Sequence, residues 1–241
     1  MTTSVDFQHV LDNGVSITSS GTTGTPKTIF RSPENLRKVI EAAIDAQQLS
    51  KSSRIYTVTR MTHAGGLLTQ SLPGYTLGCD IKIEQFNAYT FLKEFKDYTH
   101  TFLTPSHMWA LMQTKDFQKA DLSGKWILGG SDPVSWEMIE AFTSKGAIVQ
   151  PNWGMSEVGP ITINSIFTKD SDLNYYKNLS KGSILGDKFY TEWKIEDGIL
   201  WVKGDLVYKS GWLRTGDIVE CHGGILFYLG RDSGKDTDSQ L

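Results

Sequence analysis

Cysteine is scarce: Cys79 and Cys221 are the only two in 241 residues, and they stand far apart in no metal-ligand or redox spacing. That excludes a disulfide-stapled secreted scaffold and fits a reducing compartment or plain burial; a cytoplasmic protein is expected. Long apolar runs are absent, which excludes a bilayer-spanning helix, and residues 1–10 are too polar for the apolar core of a secretory signal. Neither sign of charge dominates: 24 Lys and Arg face 27 Asp and Glu, a net charge of −3. Without clustered basic residues there is little to neutralise phosphates along a strand, so neither nucleic acid nor membrane is an expected partner. The five histidines form no metal-ligand spacing, and there is no internal repeat or low-complexity tract. What is present is an ordinary globular composition, 39% hydrophobic and 21% charged, in a chain long enough for one large domain or two smaller ones.

Two periodicities organise the chain. Val15 and Ile17 alternate with polar residues, and Ile29 and Phe30 resume after a polar loop, which predicts strand, tight loop, strand. Ser32 offers an N-cap, Pro33 suits the first helical position and Glu34 complements the helix dipole. Leu36, Val39, Ile40, Ala43 and Ile44 then recur at helical spacing, so an amphipathic helix is predicted over 33–48. From 55 to 150, strand-like stretches (55–59, 79–83, 100–103, 125–128, 147–150) alternate with helix-like ones (66–72, 88–98, 106–113, 135–144). This alternation predicts an α/β fold with a parallel sheet flanked by helices. Ligands of such sheets bind at the carboxyl ends of the strands, here the loops after Thr59, Leu103, Leu128 and Gln150. Beyond about residue 160 the helical period disappears, and 161–167, 189–195, 199–202, 218–221 and 225–229 read as short strands, with a hairpin signal at Asp197-Gly198. The expected organisation is an α/β subdomain over 1–160 and a small antiparallel β subdomain over 161–241.

The loop Ser20-Gly21-Thr22-Thr23-Gly24-Thr25-Pro26-Lys27 sets hydroxyls and glycines before a lysine. Glycine lets a backbone approach closely, N–H and hydroxyl groups donate hydrogen bonds, and lysine adds a point charge, all of which suits a polyphosphate. It is not a Walker A loop, because Pro26 precedes Lys27 and a strand follows. Taken alone it reads equally well as a flexible surface turn. The segment closely resembles the phosphate loop of the adenylate-forming superfamily, which includes acyl- and aryl-CoA synthetases, luciferases and peptide-synthetase adenylation domains. Further segments resemble the family's later motifs in order: Met61-Thr62-His63-Ala64-Gly65-Gly66-Leu67, nearest to that of the o-succinylbenzoate-CoA ligases; Gly129-Gly130-Ser131-Asp132-Pro133; Asn152-Trp153-Gly154-Met155-Ser156-Glu157; Leu213-Arg214-Thr215-Gly216-Asp217; and Gly230-Arg231.

The resemblance implies ATP-dependent activation of a small carboxylic acid as its acyl-adenylate, with release of pyrophosphate and with CoA as an acceptor. It places ATP on Ser20, Gly21, Thr22, Thr23, Gly24 and Lys27, the last four touching the β- and γ-phosphates. Glu157 would hold Mg2+ and Ser156 would contact the phosphates. Gly130, Ser131 and Asn152 would lie beside the adenine, with Trp153 stacked on it next to Gly154. Asp217 would accept the ribose hydroxyls, and Arg231 would contact the ribose or α-phosphate. Lys27, Glu157 and Arg231 are thus the expected catalytic residues, while His63, Gly129 and Gly154 would border the acid. Leu67, Trp109, Trp153 and Ile161 near the expected pocket suggest an apolar or aromatic acid. By the same resemblance the chain lacks most of the family's large N-terminal part and the C-terminal domain with its lysine. Two alternatives therefore stay open: an accessory protein that binds nucleotide or acyl-adenylate without chemistry, and one part of a split ligase completed by a C-terminal domain in trans. A homo-oligomer, a second copy covering exposed apolar surface, is the other partner considered.

Overall fold

The structure, a computed structural model, describes residues 5–19 and 27–232. It opens with a helix not anticipated from the sequence, α1 (Phe7–Asn13), whose cap Asp6 accepts the His9 N–H. Strands β1 (Val15–Ser19) and β2 (Lys27–Arg31) pair antiparallel, as their alternation requires. Between them, Ser20, Gly21, Thr22, Thr23 and Gly24 lie outside the described residues. Ser32 accepts the Asn35 N–H and Pro33 opens α2 (Pro33–Ala46), which buries Leu36, Val39, Ile40 and Ala43.

After β3 (Arg54–Thr57) comes a helical passage in three parts: α3 (Ala64–Gly66), a π-helical turn (Leu67–Ser71) and α4 (Leu72–Leu77). Then follow β4 (Asp80–Ile83), α5 (Phe91–Phe95), β5 (His100–Leu103), α6 (Pro105–Met112), α7 (Lys115–Lys119), β6 (Trp126–Gly129), α8 (Trp136–Thr143) and β7 (Ile148–Met155). The remainder comprises β8 (Gly159–Asn164), α9 (Leu173–Leu179), β9 (Ser183–Gly186), β10 (Lys188–Phe189), β11 (Glu192–Glu196), β12 (Ile199–Lys203), β13 (Leu213–His222) and β14 (Ile225–Arg231).

The central sheet has the order β10-β8-β7-β6-β5-β3-β4. Strands β7, β6, β5, β3 and β4 run parallel, while β8 and β10 are antiparallel additions at one edge. Both faces are covered, as a period of two in fully apolar strands demands. Leu103 and Ile127 enter a core with Phe91, Met108, Ile139 and Phe142. Their neighbours Phe102 and Leu128 point the other way, onto Ala43 and Ala46 of α2. A five-stranded antiparallel sheet, β11-β12-β13-β14-β9, follows. Its Leu200, Val202, Leu213, Val219 and Leu226 share a core with Trp153 and Ile163 of the central sheet. The hairpin signal is realised: Asp197 and Gly198 both take positive φ, 50° and 76°.

The expected α/β class and its antiparallel sequel are therefore present. Besides α1, the elements that differ from expectation include β7, β8 and α9, each for a physical reason. β7 runs on through residues 151–155 because the antiparallel return of β8 pairs with Asn152, Trp153 and Met155. β8, expected among the antiparallel strands that follow, thereby joins the parallel sheet. Helix α9 appears where no helix was expected: Asp172 caps it, and Leu173, Tyr176 and Leu179 pack on the first core, in a segment too short to show a period. Among the described residues no helix is long and apolar enough to cross a membrane.

Candidate active site

The turn between β7 and β8 closes with Val158 N–H donating to the Met155 carbonyl at 3.0 Å, leaving Ser156 and Glu157 at its tip. Only glycine fits at 154, since a Cβ there would lie 2.3 Å from the Gly159 carbonyl oxygen. Asn152 ties three segments together: its Nδ2 donates to the Gly129 carbonyl at 2.7 Å, and its Oδ1 accepts the Ile161 N–H at 3.2 Å. Gly130 packs against the same amide, where a Cβ would come within 2.5 Å of Nδ2. Beside this knot, Ser131 and Ile161 hold φ of 75° and 63°, a region that costs a β-branched residue in particular.

The second half of the site is built by strand register. Asp217 of β13 stands opposite Arg231 of β14. Arg231 Nη1 donates to Asp217 Oδ1 at 2.7 Å, and Trp153 Nε1 donates to Oδ2 at 2.8 Å. Asp217 is 4% exposed and Trp153 8%, so the carboxylate and the indole that holds it are buried together. The Arg-Thr-Gly-Asp segment thus lies within β13, not before it.

A cavity of about 860 Å³ opens at the carboxyl ends of the parallel strands. Its wall brings together Lys27, His63, Ser131, Asn152, Gly154, Ser156, Glu157 and Arg231. Ala64, Gly65, Phe102, Met155 and Pro160 supply a less polar stretch. The segments after β3 and β6 and the outer end of β7 contribute as expected, whereas β5 contributes Phe102 itself. Trp153, Asp217, Gly129 and Gly130 do not line the cavity. The first two are buried, and both glycines adjoin it through Asn152.

One residue escapes notice in the sequence. Arg31, at the end of β2, is 0% exposed. Its Nη2 donates to the Ser156 carbonyl at 2.6 Å, and its Nη1 to the Leu206 carbonyl at 3.0 Å and to Asn35 Oδ1 at 2.5 Å. Burial pulls its guanidinium down to about 10, opposed by the nearby Glu157 charge, so it stays protonated at neutral pH. A signal was available: Arg31 follows the buried Ile29 by two, which puts it on the inward face of the strand.

Among the described residues no group of three His, Cys, Asp or Glu side chains could hold a metal ion. A resident all-protein metal cage is therefore not what these residues form. Glu157 alone, in a cavity with Lys27 and Ser156, has the donor set of a Mg2+ site completed by substrate phosphates, since Mg2+ is commonly held by one or two carboxylates plus phosphate oxygens.

A profile described as AMP-binding enzyme matches residues 12–212. The chain belongs to the AMP-binding enzyme family. Luciferin 4-monooxygenase of Photuris pensylvanica is 27% identical over 248 residues, covering 88% of this chain and 44% of that protein. The 4-coumarate–CoA ligase of Vanilla planifolia is 25% identical over 239 residues, covering 83% and 42%. The chain thus spans less than half the length of these curated relatives. Among solved structures, the inhibitor-bound N-terminal domain of FACL13 from Mycobacterium tuberculosis superposes with a TM-score of 0.76 at 18% identity, covering 91% of this chain and 61% of that one. At that identity the likeness is one of fold.

Proposed function

We propose that this chain carries the adenylate-forming site of an acid ligase, binding ATP and a small carboxylic acid and joining them as an acyl-AMP. The observation that carries the proposal is convergence. Lys27, Ser131, Ser156 with Glu157, and Arg231 come from four separate motifs and meet on one cavity wall.

In the reaction a carboxylate oxygen bonds to the α-phosphorus and the bond to the bridging oxygen breaks. Pyrophosphate leaves with that oxygen and its electron pair, and no proton need move. Both reactants are anionic, so the protein must supply positive charge, donors and alignment, not a nucleophile. Lys27 and the loop before it take the β- and γ-phosphates, Ser156 donates to a phosphate oxygen, and Arg231 faces the α-phosphate or ribose. Glu157 would hold Mg2+, whose charge, when bound, offsets that of the phosphates. Gly130, Ser131 and Asn152 flank the adenine, with Trp153 at its border. Asp217 keeps a lone pair on each oxygen after accepting from Trp153 and Arg231, which leaves capacity for ribose hydroxyls. His63, Gly129 and Gly154 border the acid, and the lining of Ala64, Gly65, Phe102, Met155 and Pro160 suits an apolar or aromatic one. CoA as the acceptor is supported by a relative named as a CoA ligase. The free thiols of Cys79 and Cys221 suit a reducing cytoplasm.

The same cavity wall also suits a second reading, binding without chemistry. Titration calorimetry with Mg·ATP, followed by pyrophosphate exchange over a panel of aromatic and aliphatic acids, separates the two. Micromolar binding that is lost in Asp217→Ala, together with acid-dependent exchange, is expected. Binding without exchange would leave the accessory role, and no binding would remove both.

A further inference from the structure

Glu157 sits between two peptide planes, and each is tethered from outside the turn. The plane before it carries the Ser156 carbonyl, which accepts from Arg31 Nη2 at 2.6 Å. The plane after it carries the Glu157 carbonyl, which accepts from the Tyr208 N–H at 2.9 Å. The two tethers are themselves connected. Arg31 Nη1 holds the Leu206 carbonyl at 3.0 Å, and Asn35 Nδ2 holds the Asp205 carbonyl at 2.7 Å, so the segment that supplies Tyr208 is gripped from α2 and β2. Fixing both planes fixes φ and ψ at Glu157, and with them the direction in which its side chain leaves the backbone. The residue at the centre of this ring is a guanidinium on the strand that directly follows the 20–26 loop. Its planar fork allows one side chain to hold two carbonyls on different segments, which a lysine ammonium on a single stem does not reproduce.

We propose that Arg31 is the positioning residue for the Glu157 carboxylate, locking it in the orientation that receives the metal of a Mg·ATP complex and coupling it to the strand behind the phosphate loop. This rests on the proposed ATP site and adds to it a residue that does not line the cavity.

The experiment compares the unmodified chain with Glu157→Gln, Arg31→Lys, Arg31→Gln and the double variant Arg31→Lys/Glu157→Gln. Arg31→Lys keeps a positive charge and a donor, and its thermal melt checks that the fold is intact. Three quantities are read: the Mg2+ concentration that half-saturates ATP binding, the affinity for AMP without metal, and the Mn2+ electron-spin-resonance signal of bound Mn·ATP. Both Arg31 substitutions are expected to raise the Mg2+ requirement about tenfold, as loss of support behind a metal ligand does, with AMP affinity held within about twofold. The Mn·ATP signal is expected to change in the same direction as in Glu157→Gln, and the double variant to be no worse than Glu157→Gln alone.

Loss of ATP and AMP binding by the same factor, an unchanged Mg2+ requirement, or losses that multiply in the double variant would each overturn the role of Arg31 while leaving the ATP site standing. An unmodified chain that binds no ATP, or a Glu157→Gln variant with an unaltered Mg2+ requirement, would overturn the site reading and the inference with it.

Discussion

The indole N–H of Trp153 reaches the carboxylate of Asp217 across 2.8 Å and 64 residues of sequence, joining the outer end of β7 to the middle of β13. Because Asp217 is buried, each oxygen needs a partner. Trp153→Phe keeps the apolar contacts of the ring and deletes the donor. It is expected to cost about 1–3 kcal/mol, the desolvation of a buried acceptor left one hydrogen bond short. The urea midpoint at constant m-value measures it, and a change under half that size would mean that Arg231 alone satisfies the carboxylate.

Gly154 and Gly78 form a contrasting pair. At 154 an added Cβ meets backbone at 2.3 Å, whereas at 78, where φ is 72°, it meets nothing within 4 Å. Gly78→Ala should therefore lose only about 1 kcal/mol from left-handed strain. Gly154→Ala should displace the Ser156–Glu157 turn and abolish Mg·ATP binding. Paired thermal melts and calorimetry check both, and equal effects would contradict the packing argument.

Burial depresses the His100 imidazole to about 4. In the neutral ring Nε2–H donates to the Gln47 carbonyl at 3.2 Å, and Nδ1 faces the Thr99 hydroxyl at 2.8 Å. Unfolding restores the ordinary value of 6.5, so between pH 6.5 and 4 the unfolded chain binds a proton that the folded chain refuses. The contribution is complete above pH 6.5 and shrinks as pH falls to 4, by about 3 kcal/mol. Denaturant midpoints measured from pH 7 to 4 should slope less in His100→Gln by that amount, and parallel curves would refute the assignment.

Ser131 holds a φ of 75° without being glycine, directly after Gly130 on the cavity wall. Ser131→Gly should raise stability by about 0.5–1 kcal/mol through released strain. The same change removes a hydroxyl from the cavity wall, so under the proposed function ATP affinity should fall as the melting temperature rises. Stability and affinity moving together would mean that the conformation is not strained.

Much of this was legible in advance because it depends on local chemistry. Ser32-Pro33 announced α2, Asp197-Gly198 announced its hairpin, and the alternating periods of residues 55–150 announced a covered parallel sheet. The motif residues of the cavity wall were legible as types at fixed spacing. What escaped depends on partners distant in sequence. β7 extends through Asn152 and Trp153 only because β8 returns beside it. The burial of Asp217 depends on the registers of both β13 and β14 and on an indole from the other sheet. Arg31 escaped notice because its acceptors, Ser156 and Leu206, lie 125 and 175 residues away.

The π-helical turn at Leu67–Ser71 carries a further consequence. A π turn holds one residue more than the α-helix around it, here with Ser71 Oγ reaching back to the Gly66 carbonyl and Gln47 donating to the carbonyl of Thr69. That single surplus residue sets the rotational phase of everything upstream, including His63 and Gly65 on the cavity wall, against the anchored Leu68 and Leu72 in the core behind. Deleting one codon within 67–71 would restore a plain helix and swing the upstream side chains by about 100° around its axis. A change of one residue in length is thus large enough to exchange the side chains that line the cavity, so this stretch of helix works as an indexing ring.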